Sequence, residues 1–200
     1  SSRVPEGYLE RIKPGWNLGT AKKFKRQIEK PALFEYLKPA KIIDIFCRIS
    51  LGKSDDWYSR YRQISVEALK PLEDDYQVAI SSKHQNNLVS HRQYRRELKR
   101  SKIVFSPFGW GEHCWRDIEA IVNNCLLVKP SMDHINTQPN FLIENETYVP
   151  VKWDYSDLTE KIEYYLQHWE EAHKIIEKAN QVYHSYFQER KFIKTIRGIC

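Results

Sequence analysis

Short apolar runs alternate with stretches of helical period along most of this chain. KIIDIFCRIS (41–50) is a compact apolar run and predicts a strand. DDWYSRYRQISVEALKPL (55–72) follows, with Trp57, Tyr61, Ile64 and Leu69 at helix-like spacing. YQVAISS (76–82) predicts a second strand, HRQYRRELKR (91–100) a short and very basic helix, and KIVFSP (102–107) a third strand. A helix is then expected from near Glu112 to about Asn124, and CLLVKP (125–130) reads as a fourth strand closed by Pro130. FLIEN (141–145) and TYVPVKW (147–153) are two shorter strand candidates. Asp154 or Ser156 is positioned to cap a last helical region, whose apolar stripe runs Leu158, Ile162, Tyr165, Leu166, Trp169 and whose pattern continues to about Ile196.

Strands and helices alternating at this pitch predict an α/β domain, a parallel sheet with helices on both faces, over residues 41–200. Residues 1–40 hold Pro5, Pro14, Pro31 and Pro39 and read as an irregular lead-in with one basic helix, about Thr20–Glu29.

Composition narrows the class. Apolar residues are 41% and charged residues 29% of the chain, an ordinary globular balance. The net charge of +6 favours anionic partners, namely phosphates, nucleic acid or an acidic membrane surface. Much of the excess lies in Lys22–Arg26 and Arg92–Arg100, where a solvated helix face is the plain alternative. Cys47, Cys114, Cys125 and Cys200 lack metal-ligand spacing and read as reduced thiols of a cytosolic protein. No apolar run approaches the ~18 residues of a membrane span, and no signal peptide opens the sequence.

In a sheet of this kind, ligands bind in the loops beyond the carboxyl ends of the strands. Three such loops carry chemistry. CRISLGK (47–53) places Arg48 and Lys53 around a glycine-containing turn, which suits a diphosphate at a helix entrance. SSKHQNN offers Ser81, Ser82 and Lys83 for a base or ribose. FSPFGWGEHCW brings Gly109, Trp110 and Gly111 into the third loop, where glycine lets a backbone approach a ligand closely. With a helix starting near Glu112, the residues Glu112, Arg116, Glu119 and Asn123 form one polar stripe, while Trp115, Ile118 and Val122 face the core. A carboxylate on that stripe accepts two hydroxyl hydrogen bonds at once, as a vicinal diol requires.

The segment SPFGWGEHCWRDIEAIVNNCLLVKP, taken with the Arg48–Lys53 pair, resembles the nucleotide-sugar site in the C-terminal domain of GT-B-fold glycosyltransferases. The resemblance runs from about Lys41 to Trp169. Arg48 and Lys53 match the family's R-x4-K pair, and Glu119-Ala120 matches the second glutamate of its Glu-x7-Glu element. The position eight before Glu119 is Gly111, and Glu112 leaves six intervening residues, so the first glutamate departs from the pattern.

The resemblance implies a Rossmann-like domain that binds a nucleotide-diphosphate sugar and stabilises the leaving diphosphate. Arg48, Lys53 and Glu112 are its candidate catalytic residues. Ser82, Gly109, Trp110, Gly111, Arg116 and Glu119 are its candidate donor-binding residues, with Glu119 at the ribose. SMDHINTQPN (131–140) resembles the loop bordering the donor and brings Asp133 and His134 toward the sugar. The resemblance further implies metal-independent transfer without a cofactor, a glycan or lipid-linked acceptor, and a role in polysaccharide biosynthesis. It also implies a separate N-terminal Rossmann-like domain or partner chain. The reduced thiols point to a cytoplasmic setting, and the basic helix near Lys22–Arg26 adds a separate expectation of peripheral membrane contact, which fits a lipid-linked acceptor. The competing expectation is a non-catalytic phosphate or nucleic-acid module using Arg92–Arg100. It lacks a recognisable nucleic-acid-reading motif.

Overall fold

Three apolar runs form the middle of the sheet because consecutive residues in each are buried, as happens when both faces are covered. The computed structural model describes residues 39–51, 56–81, 89–109, 111–135, 137 and 140–188. Its strands are β1 (Ile43–Cys47), β2 (Val78–Ile80), β3 (Ser101–Phe105), β4 (Leu126–Pro130) and β5 (Val149–Val151). All pair in parallel, in the order β2-β1-β3-β4-β5. Ile45, Phe46, Cys47, Ile103, Val104, Phe105, Leu126 and Val128 are completely or almost completely buried, so the core runs through β1, β3 and β4. The α/β class expected from the sequence is therefore the class observed.

The helices are α1 (Trp57–Glu67), α2 (His91–Lys99), α3 (Trp115–Val122), α4 (Leu158–Gln167) and α5 (Trp169–Gln188). Asp56 caps α1 by accepting from the Ser59 N–H at 2.7 Å, and Ser90 caps α2 by accepting from the Gln93 N–H at 3.2 Å. Trp57 and Ile64 of α1 are each about half exposed; its buried face is Tyr61, Ser65 and Val66, and Leu69 lies past its end. The expected cap of α4 also moves. Asp157 holds that position, while Asp154 instead accepts from the Ser156 N–H at 3.0 Å in the preceding turn. Leu158 and Ile162 are fully buried as expected, but Trp169 opens a separate helix beyond a break at His168.

FLIEN does not pair as a strand; Glu144 makes one isolated bridge to Tyr148. At the β5 edge, Ser131 N–H donates to the Val151 carbonyl at 2.9 Å, so Pro150 turns its backbone away from β4. The Pro150 carbonyl accepts from Lys161 Nζ at 2.6 Å. Among the described residues no helix is long and apolar enough to cross a membrane. The lead-in 1–38 with its basic helix, Lys53, Ser82, Lys83, Trp110 and Cys200 lie outside the described residues.

Candidate functional site

The strand order decides where a ligand fits. The chain leaves β1 toward β2 on one side, then crosses back to β3 on the other, so the loops after β1 and β3 diverge. In sheets of this topology such a divergence marks the ligand crevice, here at the carboxyl ends of β1 and β3. Arg48, Ser81, Gly109, Gly111, Arg116 and Glu119 all belong to the segments around it.

The loop after β3 is held from below by buried charge. Lys129 Nζ, on β4, lies 3.2 Å from Asp117 Oδ2, with both side chains wholly buried. Asp117 also accepts from the Ser106 hydroxyl at 2.6 Å and from the Cys114 N–H at 3.0 Å, which caps α3. Lys129 further donates to the Glu112 carbonyl at 2.6 Å and sits 5.2 Å from the centre of the Phe108 ring. Each partner of the ion pair thus has additional polar or aromatic contacts, the condition under which a buried pair is tolerated.

This anchor sets the rotation of α3, and it corrects the expected helix. The helix begins at Trp115 rather than Glu112, so Glu112 stays in the loop and leaves the proposed stripe. Trp115, expected in the core, is 45% exposed, whereas Glu119 is 8% exposed. Ile118, Ala120 and Ile121 supply the apolar packing, and burying them together with Asp117 turns Arg116 and Glu119 inward. Glu119 accepts from the Tyr94 hydroxyl of α2 at 2.8 Å. Arg116 donates from Nε to the Ser106 hydroxyl oxygen at 3.2 Å and from Nη2 to the Pro107 carbonyl at 2.9 Å.

Arg48 is engaged on the β2 side. Its guanidinium grips Glu97 through Nε at 2.8 Å and Nη2 at 3.2 Å, and it donates to the Ile80 carbonyl from Nη1. Ser81 accepts from the Ile49 N–H at 3.0 Å, tying the end of β2 to the loop after β1. Burial pushes the Cys47 thiol up to about 12, against the opposing pull of Arg116 and Arg48 nearby. Cys47 and Cys125 are buried free thiols, as expected, and Cys114 is a third, half-buried one.

Gly109 and Gly111 differ in what they leave open. A Cβ at Gly109 would meet Cys114 Sγ at 3.1 Å, while one at Gly111 would meet nothing within 4 Å. On the far side of the same loop, Glu112 Oε1 lies 3.0 Å from His134 Nε2, bringing the β4 loop against the glycine loop. The His134 ring packs edge-on to Trp153 at 5.1 Å. Glu112 therefore faces the β4 side, away from the β1–β3 crevice where Glu119 sits.

His113 sits between these contacts, its ring tilted on Phe141 at 5.7 Å and its Nε2 buried without a hydrogen-bond partner among the described residues. Burial lowers its pKa from the ordinary 6.5, and burial lowers that of His184 likewise. The unfolded chain then takes up protons first as pH falls, so the stability these groups provide is complete above about pH 6.5 and is lost as pH drops below it. Urea midpoints are expected to fall between about pH 7.5 and about pH 5.5, with a shallower slope in His113→Gln. An identical slope in that variant would assign the pH dependence elsewhere.

Sequence reading passed over Lys129, Asp117, Tyr94 and Arg62. A lysine inside LLVKP was a usable signal, because a charge in a doubly covered strand must find a buried partner. Arg62 had no local signal.

Comparison with known proteins adds two findings. The family model described as glycosyl transferase-like matches residues 60–197. Among solved structures, the C-terminal domain of a glycosyl transferase group 1 family protein (LpcC) from Francisella tularensis is similar, at 12% identity and a TM-score of 0.42, over 89% of this chain and 89% of that one. No curated protein matches this chain.

Proposed function

Because the chain belongs to the glycosyl transferase-like family, we propose that it is the donor domain of a glycosyltransferase, binding a nucleotide-diphosphate sugar across the β1–β3 crevice. The observation that carries the reading is the convergence of Arg116, Glu119 and the glycine loop on the β3 side of the switch point, facing the loop of Arg48. The diphosphate lies over the loop after β3 and the ribose reaches Glu119. The sugar end lies toward Glu112, Asp133 and His134.

In transfer, the acceptor oxygen bonds to the anomeric carbon while the bond from that carbon to the β-phosphate oxygen breaks. The electron pair leaves with the diphosphate, and fixed cations and backbone N–H groups favour that developing charge. The acceptor proton passes to a base on the acceptor side. The acceptor, a glycan or a lipid-linked saccharide, is brought by a second Rossmann-like domain or a partner chain. Transfer without a metal, and a cytoplasmic site with peripheral membrane contact, complete the proposal.

Calorimetry of the chain against UDP-, GDP- and ADP-sugars tests it. Binding of one nucleotide class is expected. No binding by a folded chain would remove the donor-domain reading.

A further inference from the structure

We infer that Arg62, acting beside Arg116, is an anion-binding residue of the crevice and contacts the diphosphate of the donor. This rests on the donor-domain reading for the identity of the ligand, and on geometry for the anion site itself.

The argument begins with the charge of Arg48. That guanidinium is matched by the Glu97 carboxylate through two N–H groups, and a third goes to the Ile80 carbonyl. A bidentate ion pair of this kind largely neutralises the cation and fixes its plane. Arg48 therefore organises the β2 side of the crevice more than it offers charge to a ligand.

Arg62 is placed differently. It lies on α1, the helix that follows β1, and it bridges the two diverging loops. Its Nη1 donates to the Ser50 carbonyl at 3.0 Å, beyond β1, and its Nε reaches the Phe108 carbonyl at 3.5 Å, beyond β3. Among the described residues, no carboxylate forms an ion pair with it. Neutral carbonyls orient a guanidinium but leave its unit charge unmatched. The side chain is only partly exposed, so solvent compensates that charge less than at an open surface.

Arg116 repeats the pattern from the other side. It bonds the Ser106 hydroxyl and the Pro107 carbonyl, again with no carboxylate in an ion pair among the described residues. Pro107 and Phe108 are consecutive, so two neighbouring carbonyls of one loop are each taken by an arginine. Two guanidinium groups without a direct carboxylate partner among the described residues thus bracket the loop at the switch point, Arg116 being linked to Asp117 through the Ser106 hydroxyl. Gly109 comes next, and a Cβ there would lie 3.7 Å from Arg62 Nη2. That is an ordinary contact distance, so Gly109 lies against the guanidinium, and the tighter limit on a side chain there is Cys114 Sγ at 3.1 Å. A diphosphate supplies the two adjacent negative groups that such a pair accepts, and guanidinium suits phosphate oxygens better than ammonium does.

The test compares wild type, Arg62→Gln and Arg62→Lys by calorimetry, with thermal melts to verify folding. The probes are UDP, GDP and ADP, their parent nucleosides, and inorganic pyrophosphate. Arg62→Gln is expected to weaken the preferred nucleoside diphosphate by roughly ten- to hundredfold, the range for hydrogen bonds to a charged group, while changing its nucleoside less than about threefold. Arg62→Lys should recover part of the diphosphate affinity, because it restores charge without restoring the two-carbonyl bridge. Equal losses for nucleoside and diphosphate, or no loss, would overturn the inference and leave the donor-domain reading intact. Pyrophosphate binding that is lost in Arg62→Gln, without nucleotide binding by wild type, would retain the anion site and remove the nucleotide. A folded wild type that binds none of the probes would overturn both.

Discussion

Lys129→Met is expected to destabilise the domain by about 3–5 kcal/mol, the cost of leaving one member of a buried ion pair without its partner. Lys129 and Asp117 have no exposed side-chain surface, so neither charge recovers hydration when the other is removed. Methionine matches the length of lysine and fills the space, which separates the electrostatic loss from a packing loss. The carboxylate of Asp117 keeps the Ser106 hydroxyl and the Cys114 N–H, but these do not neutralise it. The double variant Asp117→Asn with Lys129→Met should regain much of the loss, since it removes both charges. It should not regain all, because the Glu112 carbonyl also loses its donor. Urea denaturation of the four proteins forms the cycle. A single Lys129→Met variant within about 1 kcal/mol of wild type would show that the pair does not anchor the glycine loop.

Glu119→Ala is the second large effect, and here the readout is binding. Nucleotide affinity is expected to weaken by about 1–3 kcal/mol, the scale of losing hydrogen bonds to a charged group. The loss should be shared by the nucleoside and the nucleoside diphosphate, because the ribose is common to both, and inorganic pyrophosphate should be unaffected. That profile is the inverse of the one expected for Arg62. Glu119→Ala also leaves the Tyr94 hydroxyl without its 2.8 Å acceptor, so some stability is lost as well. Glu119→Gln keeps an acceptor oxygen for Tyr94 and separates the two consequences. Wild-type affinity in a folded Glu119→Ala protein would remove Glu119 from the ribose.

The sheet was legible in the sequence where burial on both faces made most of a strand apolar, as in IDIFC and KIVF, whose Asp44 and Lys102 pair with each other at 2.7 Å. FLIEN had the same look and misled for a local reason. The Thr147 hydroxyl accepts from the Ile143 N–H and donates to the Phe141 carbonyl, each at 2.7 Å, so a side chain takes the groups a ladder would use. Asn145 completes the turn at a φ of 59°. The site was legible in part. Its loops and Glu119 fell at the expected edge of the sheet, but the rotation of α3 did not. A polar stripe and a buried ion pair look alike in a hydropathy pattern, and only the lysine across on β4 distinguishes them. Arg62 was hidden more completely, because its significance comes from two carbonyls, 12 and 46 residues away in sequence.

The far edge of the sheet has a consequence for assembly. At β5 the outward-facing backbone unit is Pro150, which has no N–H to offer, and its carbonyl is already occupied by Lys161. A foreign strand laid along this side would find neither donor nor acceptor, so the sheet is closed to strand addition at β5.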